Sequence, residues 1–172
     1  MSKRIIKCNL NQKSIQNAIK QLEECQNSLR DKNELFVKRL CELGIPVIEQ
    51  NIAIAQGDSD KGHNTYIKIN RFSDYSKATL VCEGSQLAFI EFGAGIFYNG
   101  EAGSSPHPKG EEFGYTIGSY GQGKGKNESW VYVADSGEWV RSHGTEATMP
   151  MYKASVEIMQ NIRRIAKEVF ST

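Results

Sequence analysis

A glycine-rich stretch, GSYGQGK at residues 118–124, has the spacing of a phosphate-binding loop. Such a loop needs Ser or Thr after its lysine to ligate Mg²⁺, and this chain has Gly125 there. The strand before the loop and the helix after it are also missing from the sequence pattern. The stretch therefore does not predict a nucleotide site. Lys124 and Lys126 leave one alternative, a DNA-contacting module that binds phosphates through the 121–126 loop.

The histidines and cysteines are the next candidates for chemistry. His63, His107 and His143 lie far apart in the sequence and form no His-Glu-x-x-His pattern, so we predict no metal site and expect three exposed loop histidines. Cys82 and His143 form a thiol–imidazole pair only if the fold brings them together. Because Cys82 lies within a strand pattern, packing is the favoured interpretation. A small hydrolase using this pair stays open as an alternative.

One pair of carboxylates also has to be considered. Glu111 and Glu112 are adjacent in a glycine-rich segment. Glycosidase carboxylates need a fixed separation and a raised pKa on one of them, which such a segment does not provide. We therefore predict no catalytic residue, no cofactor and no enzyme.

Composition narrows the class of protein further. The chain has 172 residues and a formal net charge of +1, which favours a single domain without a bulk nucleic-acid or membrane footprint. It contains no apolar run of membrane-spanning length, and its N-terminus lacks the apolar region of a signal peptide. The four cysteines form no C-x-x-C pair, which indicates mostly buried free thiols in a reducing compartment.

The first 56 residues are expected to be a helical half. Apolar residues recur every three or four positions from Ile15 to Leu29, and Asn11 or Ser14 can cap this helix. A second helix is predicted after Asp31 or Asn33. Gly44 and Pro46 fall inside its pattern and are expected to bend or divide it, because proline removes an amide donor.

Residues 64–142 read as an antiparallel β meander of 3–5 strands. The alternation in TYIKINRF predicts one strand, and residues 77–82 and 86–92 predict a hairpin. A second hairpin is predicted from residues 129–134 and 138–142. Between the hairpins, residues 93–128 contain ten of the sixteen glycines and little apolar periodicity, which is typical of a long functional insertion.

A closing helix is predicted over residues 150–170, with one apolar stripe. Its expected stripe comprises Met151, Ile158, Ile162, Ile165 and Val169. Helices at both ends and an antiparallel middle define an α+β fold. Aromatic residues concentrate between 92 and 139, where they indicate either an interface that becomes ordered on assembly or a loop packed on itself.

Two short motifs resemble those of the gene-ten-like tail-component family of long-tailed bacteriophages and prophages. One is FIEFGAG at residues 89–95, and the other is HGTEATMPMYKA at residues 143–154, which opens the closing helix. The family places a helical half first, then an acidic-aromatic-Gly-small motif, a variable insertion, and an apolar-Pro-aromatic step into the last helix. Here the residue after Pro150 is Met151, and the aromatic residue follows as Tyr152.

The resemblance implies a structural virion protein of the head–tail junction or tail end, in the neck or tail-completion class. Such proteins assemble as homo-oligomeric rings and contact neighbouring neck or tail proteins, without membrane or cofactor, after synthesis in the bacterial cytoplasm. The residues expected to have structural or interface roles are Glu91, Phe92, Gly93, Gly95, Phe97, Tyr98, Phe113, Tyr115, Tyr120, Gly144, Met149, Pro150 and Met151.

The local physics of the two motifs leads to specific expectations. On a strand, Glu91 would face away from Ile90 and Phe92, where it could pair with Arg163 or Arg164, or across a subunit boundary. Gly93 and Gly95 allow a positive φ, so the chain can leave the sheet sharply. Thr148 is expected to cap the closing helix, and Pro150 to lie in its first turn.

Overall fold

The computed structural model describes residues 5–56, 62–93, 106–110, 112–113, 129–134, 136–142 and 144–171. Its elements in chain order are helix α1 (Gln12–Gln56), strands β1 (Asn64–Arg71) and β2 (Ser76–Glu83), helix α2 (Leu87–Phe92), strands β3 (Trp130–Val133) and β4 (Trp139–Ser142), and helix α3 (Pro150–Phe170). The mixture of helices with antiparallel strands confirms the α+β class. Glu111, His143 and the glycine-rich stretch at residues 118–124 lie outside the described residues.

The N-terminal half forms one helix of 45 residues where two were predicted. It begins as expected, because the Asn11 side chain accepts the amide hydrogen bond of Ser14 at 2.8 Å. Asp31 and Asn33 lie inside the helix, so the expected second start is wrong. Pro46 also lies inside it, and the helix is not divided there. Packing of the flanking turns against other elements outweighs the local cost of the proline.

Gly44, which was expected to bend or divide the helix, instead has a role in packing. A Cβ atom built on it would lie 2.5 Å from Leu80 Cδ2, 3.2 Å from Ile158 Cδ1 and 3.4 Å from Ala154 Cβ. The missing side chain therefore lets β2 and α3 both approach α1 at one point. Any larger residue there must displace these neighbours.

Helix α3 packs antiparallel to the C-terminal half of α1. At one end the ammonium group of Lys153 donates to Asn51 Oδ1 at 2.8 Å, and at the other the Phe170 ring contacts Phe36, with centroids 5.7 Å apart. The centre of the core consists of fully or nearly fully buried side chains: Ile48, Ile52, Ile90 and Ala154.

The stripe predicted for α3 is confirmed at some positions and wrong at others. Ile165 and Val169 are buried as expected, whereas Met151 and Ile162 are more than a third exposed. Ala154 occupies the core instead, since a small residue suits the close approach of α1 at Gly44. The buried face of α3 is therefore rotated from the one that hydrophobicity alone indicated.

Among the described residues the strands form two separate sheets of two strands each. Each sheet therefore has fewer strands than the single meander of 3–5 strands that was predicted. In the first, β1 pairs with β2, and the cross-strand pairs Thr65–Cys82, Ile67–Leu80 and Ile69–Ala78 share the half-buried face. In the second, β3 pairs with β4 as expected. Gly137 at its turn has φ of 83°, the left-handed conformation that glycine favours.

Residues 87–92, expected to be a strand, form helix α2. The sequence LAFIEF has alternating bulk, but Leu87, Ile90 and Glu91 also have the i, i+3, i+4 spacing of a helical face. Tertiary packing decides between the two patterns, because Ile90 and Leu87 join the core between α1 and α3. The change from strand to helix also changes where Glu91 lies.

His63, the residue before β1, pairs with Glu49 of α1. His63 Nε2 lies 2.6 Å from Glu49 Oε2, so His63 is half-buried and not an exposed loop histidine. Burial alone would raise the pKa of the Glu49 carboxyl, but hydrogen bonds from Thr65 and His63, with the charge of His63, lower it.

Candidate functional site

The most buried polar cluster in the described residues centres on Glu91, in the last turn of α2. Glu91 is only 8% exposed. Its two carboxylate oxygens accept the amide N–H groups of Met151 and Tyr152, both at 2.8 Å. These amides belong to the first turn of α3, which has no partner for them within its own helix. Glu91 therefore caps α3 from a different element, and its charge lies at the positive end of the helix dipole.

His107 provides the third hydrogen bond to this carboxylate. Its Nε2 lies 3.0 Å from Glu91 Oε1, and its Nδ1 accepts the amide of Lys109 at 3.0 Å. Because Nδ1 accepts a hydrogen bond, the proton is on Nε2, which donates it to Glu91. His107 is 6% exposed, and its imidazole lies between aromatic rings, with centroids 4.6 Å from Phe92 and 5.3 Å from Tyr152.

The chain enters α3 through a constrained turn. Met149, the residue before the helix, has φ of 55° and ψ of 51°, a left-handed conformation that is uncommon outside glycine. The Thr148 amide donates to the Ile90 carbonyl at 3.0 Å, and the Thr148 hydroxyl donates to the Asn51 carbonyl at 2.8 Å. Thr148 thus joins α3 to α2 and α1 but does not cap α3, contrary to expectation.

An open cavity of about 620 Å³ borders this cluster. Its walls are mostly apolar, and its ionisable groups are those of Cys82, Glu91, His107, Lys109 and Tyr152. The apolar lining consists of Leu87, Ala88, Phe92, Phe113, Pro150, Met151 and Met159, together with the Tyr152 ring.

The hydrogen bonds of the cluster hold α2, α3 and the residues around His107 together. Both oxygens of Glu91 and both ring nitrogens of His107 already take part in hydrogen bonds. Burial raises the pKa of the Cys82 thiol, an effect that a hydrogen bond from Thr65 only partly offsets. A thiol of raised pKa is a poor nucleophile at neutral pH. Among the described residues, no group of three His, Cys, Asp or Glu side chains has a metal-binding arrangement.

Several residues singled out in the sequence meet at this cluster. Glu91, Phe92, Phe113, Pro150 and Met151 all line the same cavity. Glu91 binds α3 through backbone amides and not through Arg163 or Arg164, so that prediction is wrong. Five of the expected site residues lie outside the described residues: Gly95, Phe97, Tyr98, Tyr115 and Tyr120.

The conformations expected at Gly93 and Pro150 are confirmed. Gly93 has φ of 81°, and a Cβ there would lie 3.3 Å from the Ala147 Cβ, so glycine satisfies both the turn and the close approach. Gly144 also has a positive φ, 94°. Pro150 occupies the first turn of α3 and is buried. The stretch before α3 therefore has the conformational role expected for it.

His107 is the functional residue that sequence reasoning missed, because an exposed loop histidine was expected. A signal was present: His107 lies between Pro106 and Pro108 in a segment rich in aromatic residues. Two prolines restrict the backbone on both sides of one side chain and so favour a fixed position. Its partner, 16 residues earlier, could not be found from local spacing.

The described residues also expose apolar side chains away from the cavity. Residues 12–29 of α1 expose a line of isoleucines and leucines, and in the second sheet Trp139 is 76% exposed beside Val131 and Val133. Single exposed apolar residues are ordinary, whereas groups of them mark interaction surfaces. No helix in the described part of the chain is both long and apolar enough to cross a membrane.

Comparison of the chain with protein-family models, with curated proteins and with solved structures finds no match.

Proposed function

We propose that this chain is a structural protein of long-tailed phage particles, at the head–tail junction or the tail end, and that it acts through ring assembly and protein–protein contacts. The proposal places it in the gene-ten-like tail-component family. The protein would be part of the virion, would assemble in the bacterial cytoplasm, and would contact itself and neighbouring neck or tail proteins. It would need no cofactor.

The observation that carries this proposal is the contact between the two motifs behind the resemblance. The first motif contributes Glu91, and the second contributes the Met151 and Tyr152 amides that bind its carboxylate at 2.8 Å. Two short motifs separated by about sixty residues thus form one structural unit. Contact between the motifs is expected if one fold requires both of them. The contact therefore supports the resemblance over the alternative that either motif occurs here by chance.

The exposed apolar groups also support an assembly protein. A projecting helix and a hairpin with an exposed Trp139 present apolar surface to the outside. Neither alternative has a comparable observation in its favour. A hydrolase would use Cys82, whose thiol has a raised pKa because of burial. The 121–126 loop, which a DNA-contacting module would use, lies outside the described residues.

Deleting the gene from an inducible prophage and complementing it from a plasmid tests the proposal. Without the protein, electron microscopy should show full heads lacking tails, or tails of abnormal length, and wild-type complementation should restore infectious particles. A plasmid that encodes the Cys82→Ser variant should restore infectious particles equally well. If the protein were a hydrolase that uses the Cys82 thiol, this variant would not restore them. Normal infectious particles from the deletion strain would refute the proposal.

A further inference from the structure

The N-terminal part of α1, residues 12–29, extends beyond the other described elements. Helix α3 ends beside Phe36, and the tip of the first hairpin reaches Arg30, whose guanidinium donates to the Ser73 carbonyl at 2.8 Å. The helix therefore continues for about five turns, roughly 27 Å at 1.5 Å per residue, as a projecting segment. In proteins most of the stability of a helix comes from packing of its apolar face.

One face of the projecting segment has apolar residues at heptad spacing, interrupted by Gln26 between Leu22 and Leu29. Ile15, Ile19 and Leu22 are separated by four and three residues, and Leu29 follows one heptad after Leu22. Their exposed fractions are 42%, 50%, 60% and 49% in that order. The same line continues to Phe36, where the Phe170 ring of α3 packs on it. The body thus covers this face with an antiparallel helix, whereas in the projecting segment no other described element packs on the same kind of face.

The charges along the segment favour one orientation for a second helix. Lys13 and Lys20 lie towards its start, whereas Glu23 and Glu24 lie towards its end. A parallel copy would bring like charges to the same level. An antiparallel copy brings each lysine end beside the other copy's glutamate end, which is the complementary arrangement.

We propose that the projecting segment pairs with the same segment of a second copy as an antiparallel two-helix coiled coil. In the central layers Ile19 of one copy lies against Leu22 of the other, and Glu23 of each lies nearest to Lys20 of the other. The antiparallel direction leaves the two bodies at opposite ends. A parallel direction would bring the second body onto α3 of the first.

This pairing does not depend on the proposed phage function. A two-fold contact closes on itself, so the proposed ring would use other surfaces of the chain. Two helices of about five turns form a contact at the small end of specific interfaces, so we expect a weak dimer that dissociates on dilution.

Sedimentation equilibrium of the full chain, at loading concentrations up to about 500 µM, measures the association. The wild type should fit a monomer–dimer equilibrium. Ile19→Asp should weaken it by at least about 30-fold, because it places a carboxylate in the central layers. Ile54→Asp, at another exposed isoleucine of the same helix, should leave it unchanged. A monomeric wild type, or equal association in both variants, would overturn the proposal.

Charge exchange tests the orientation without altering the apolar face. Lys20→Glu should weaken the dimer, because a glutamate then lies beside Glu23 of the other copy. Adding Glu23→Lys should restore it. Circular dichroism of each variant checks that the helix is retained. Failure of the double variant to recover would contradict the antiparallel arrangement.

A native cysteine allows a direct test of the register. In the proposed pairing Ala18 lies opposite Cys25 of the second copy, on the flank of the apolar face. Oxidised Ala18→Cys protein should therefore form a disulfide between position 18 and Cys25, identified by peptide mapping, and Cys25→Ser should abolish it. A cross-link between the two copies of position 18 would instead show a parallel pair and overturn the proposal. Since these measurements need no phage particle, their outcome is independent of the gene-deletion experiment.

Discussion

Removal of the Glu91 carboxylate should destabilise the protein more than the loss of an ordinary surface charge. Glu91→Ala leaves two amides of α3 and the Nε2–H of His107 without their acceptor, in a site where Glu91 is 8% exposed. A hydrogen bond to a charged group contributes about 1.5–3 kcal/mol, but such contributions are not additive and burying the carboxylate has its own cost. We therefore expect a net loss of about 3–5 kcal/mol, below the sum of three separate hydrogen bonds to a charged group.

Urea unfolding followed by circular dichroism measures this loss as a lower midpoint at an unchanged slope. Hydrogen exchange supplies a local measure, because the Met151 and Tyr152 amides should lose protection before the rest of α3. Glu91→Gln keeps the shape and one good acceptor, so its loss should be intermediate, about 2 kcal/mol.

The matched control is Glu168→Ala, which removes a carboxylate from the other end of α3. Glu168 is 43% exposed at its side chain and pairs with Arg164 at 2.9 Å and with Arg39 at 3.7 Å. Ion pairs of this kind contribute less than about 1 kcal/mol. If Glu91→Ala and Glu168→Ala had equal effects, or the two amides kept their protection, Glu91 would not be the cap of α3.

Three further predictions concern other parts of the molecule. Gly44→Leu should lower the free energy of unfolding by about 3 kcal/mol, because β2 and α3 leave no room for a side chain, and an unchanged urea midpoint would contradict this packing. Burial and the neighbouring Glu42 raise the pKa of the Cys41 thiol, so iodoacetamide at pH 8 should modify it at least about tenfold more slowly than the exposed Cys8. Glu49→Gln should cost less than about 1 kcal/mol at pH 7, since the site is partly exposed. The lowered pKa of Glu49 makes this contribution present above the ordinary pKa of a glutamate and lost as pH falls through the lowered value, so the unfolding curves of the two proteins should converge as the medium becomes more acidic than that ordinary pKa.

The elements that could be predicted from sequence are those whose local signals agree with their packing. In α3, a 3.6-residue period and Pro150 at the start both indicate a helix. In β1 the alternation of TYIKINRF matches a sheet with one half-buried face. For β3 and β4, the turn residues between two short apolar runs determined the hairpin.

The elements that were mispredicted are those where tertiary contacts oppose the local signal. Pro46 indicated a break in α1, but the turns on either side of it are packed against other elements, so the helix continues. For LAFIEF, six residues are too few to separate a strand from a helix by period. His107 was missed because its position depends on Glu91, 16 residues away, and on rings contributed by Phe92 and Tyr152.

Pro150 explains why the two motifs fit each other. Proline has no amide hydrogen, so the first amides that α3 presents to an acceptor are those of Met151 and Tyr152. Those are the two that bind Glu91. A carboxylate has two oxygens and can accept from both amides at once, with Oε1 also accepting from His107, whereas a hydroxyl or an amide side chain has only one oxygen. The acidic residue of the first motif and the proline of the second thus meet one requirement, the capping of a buried helix start, and a change in either alters what the other must supply.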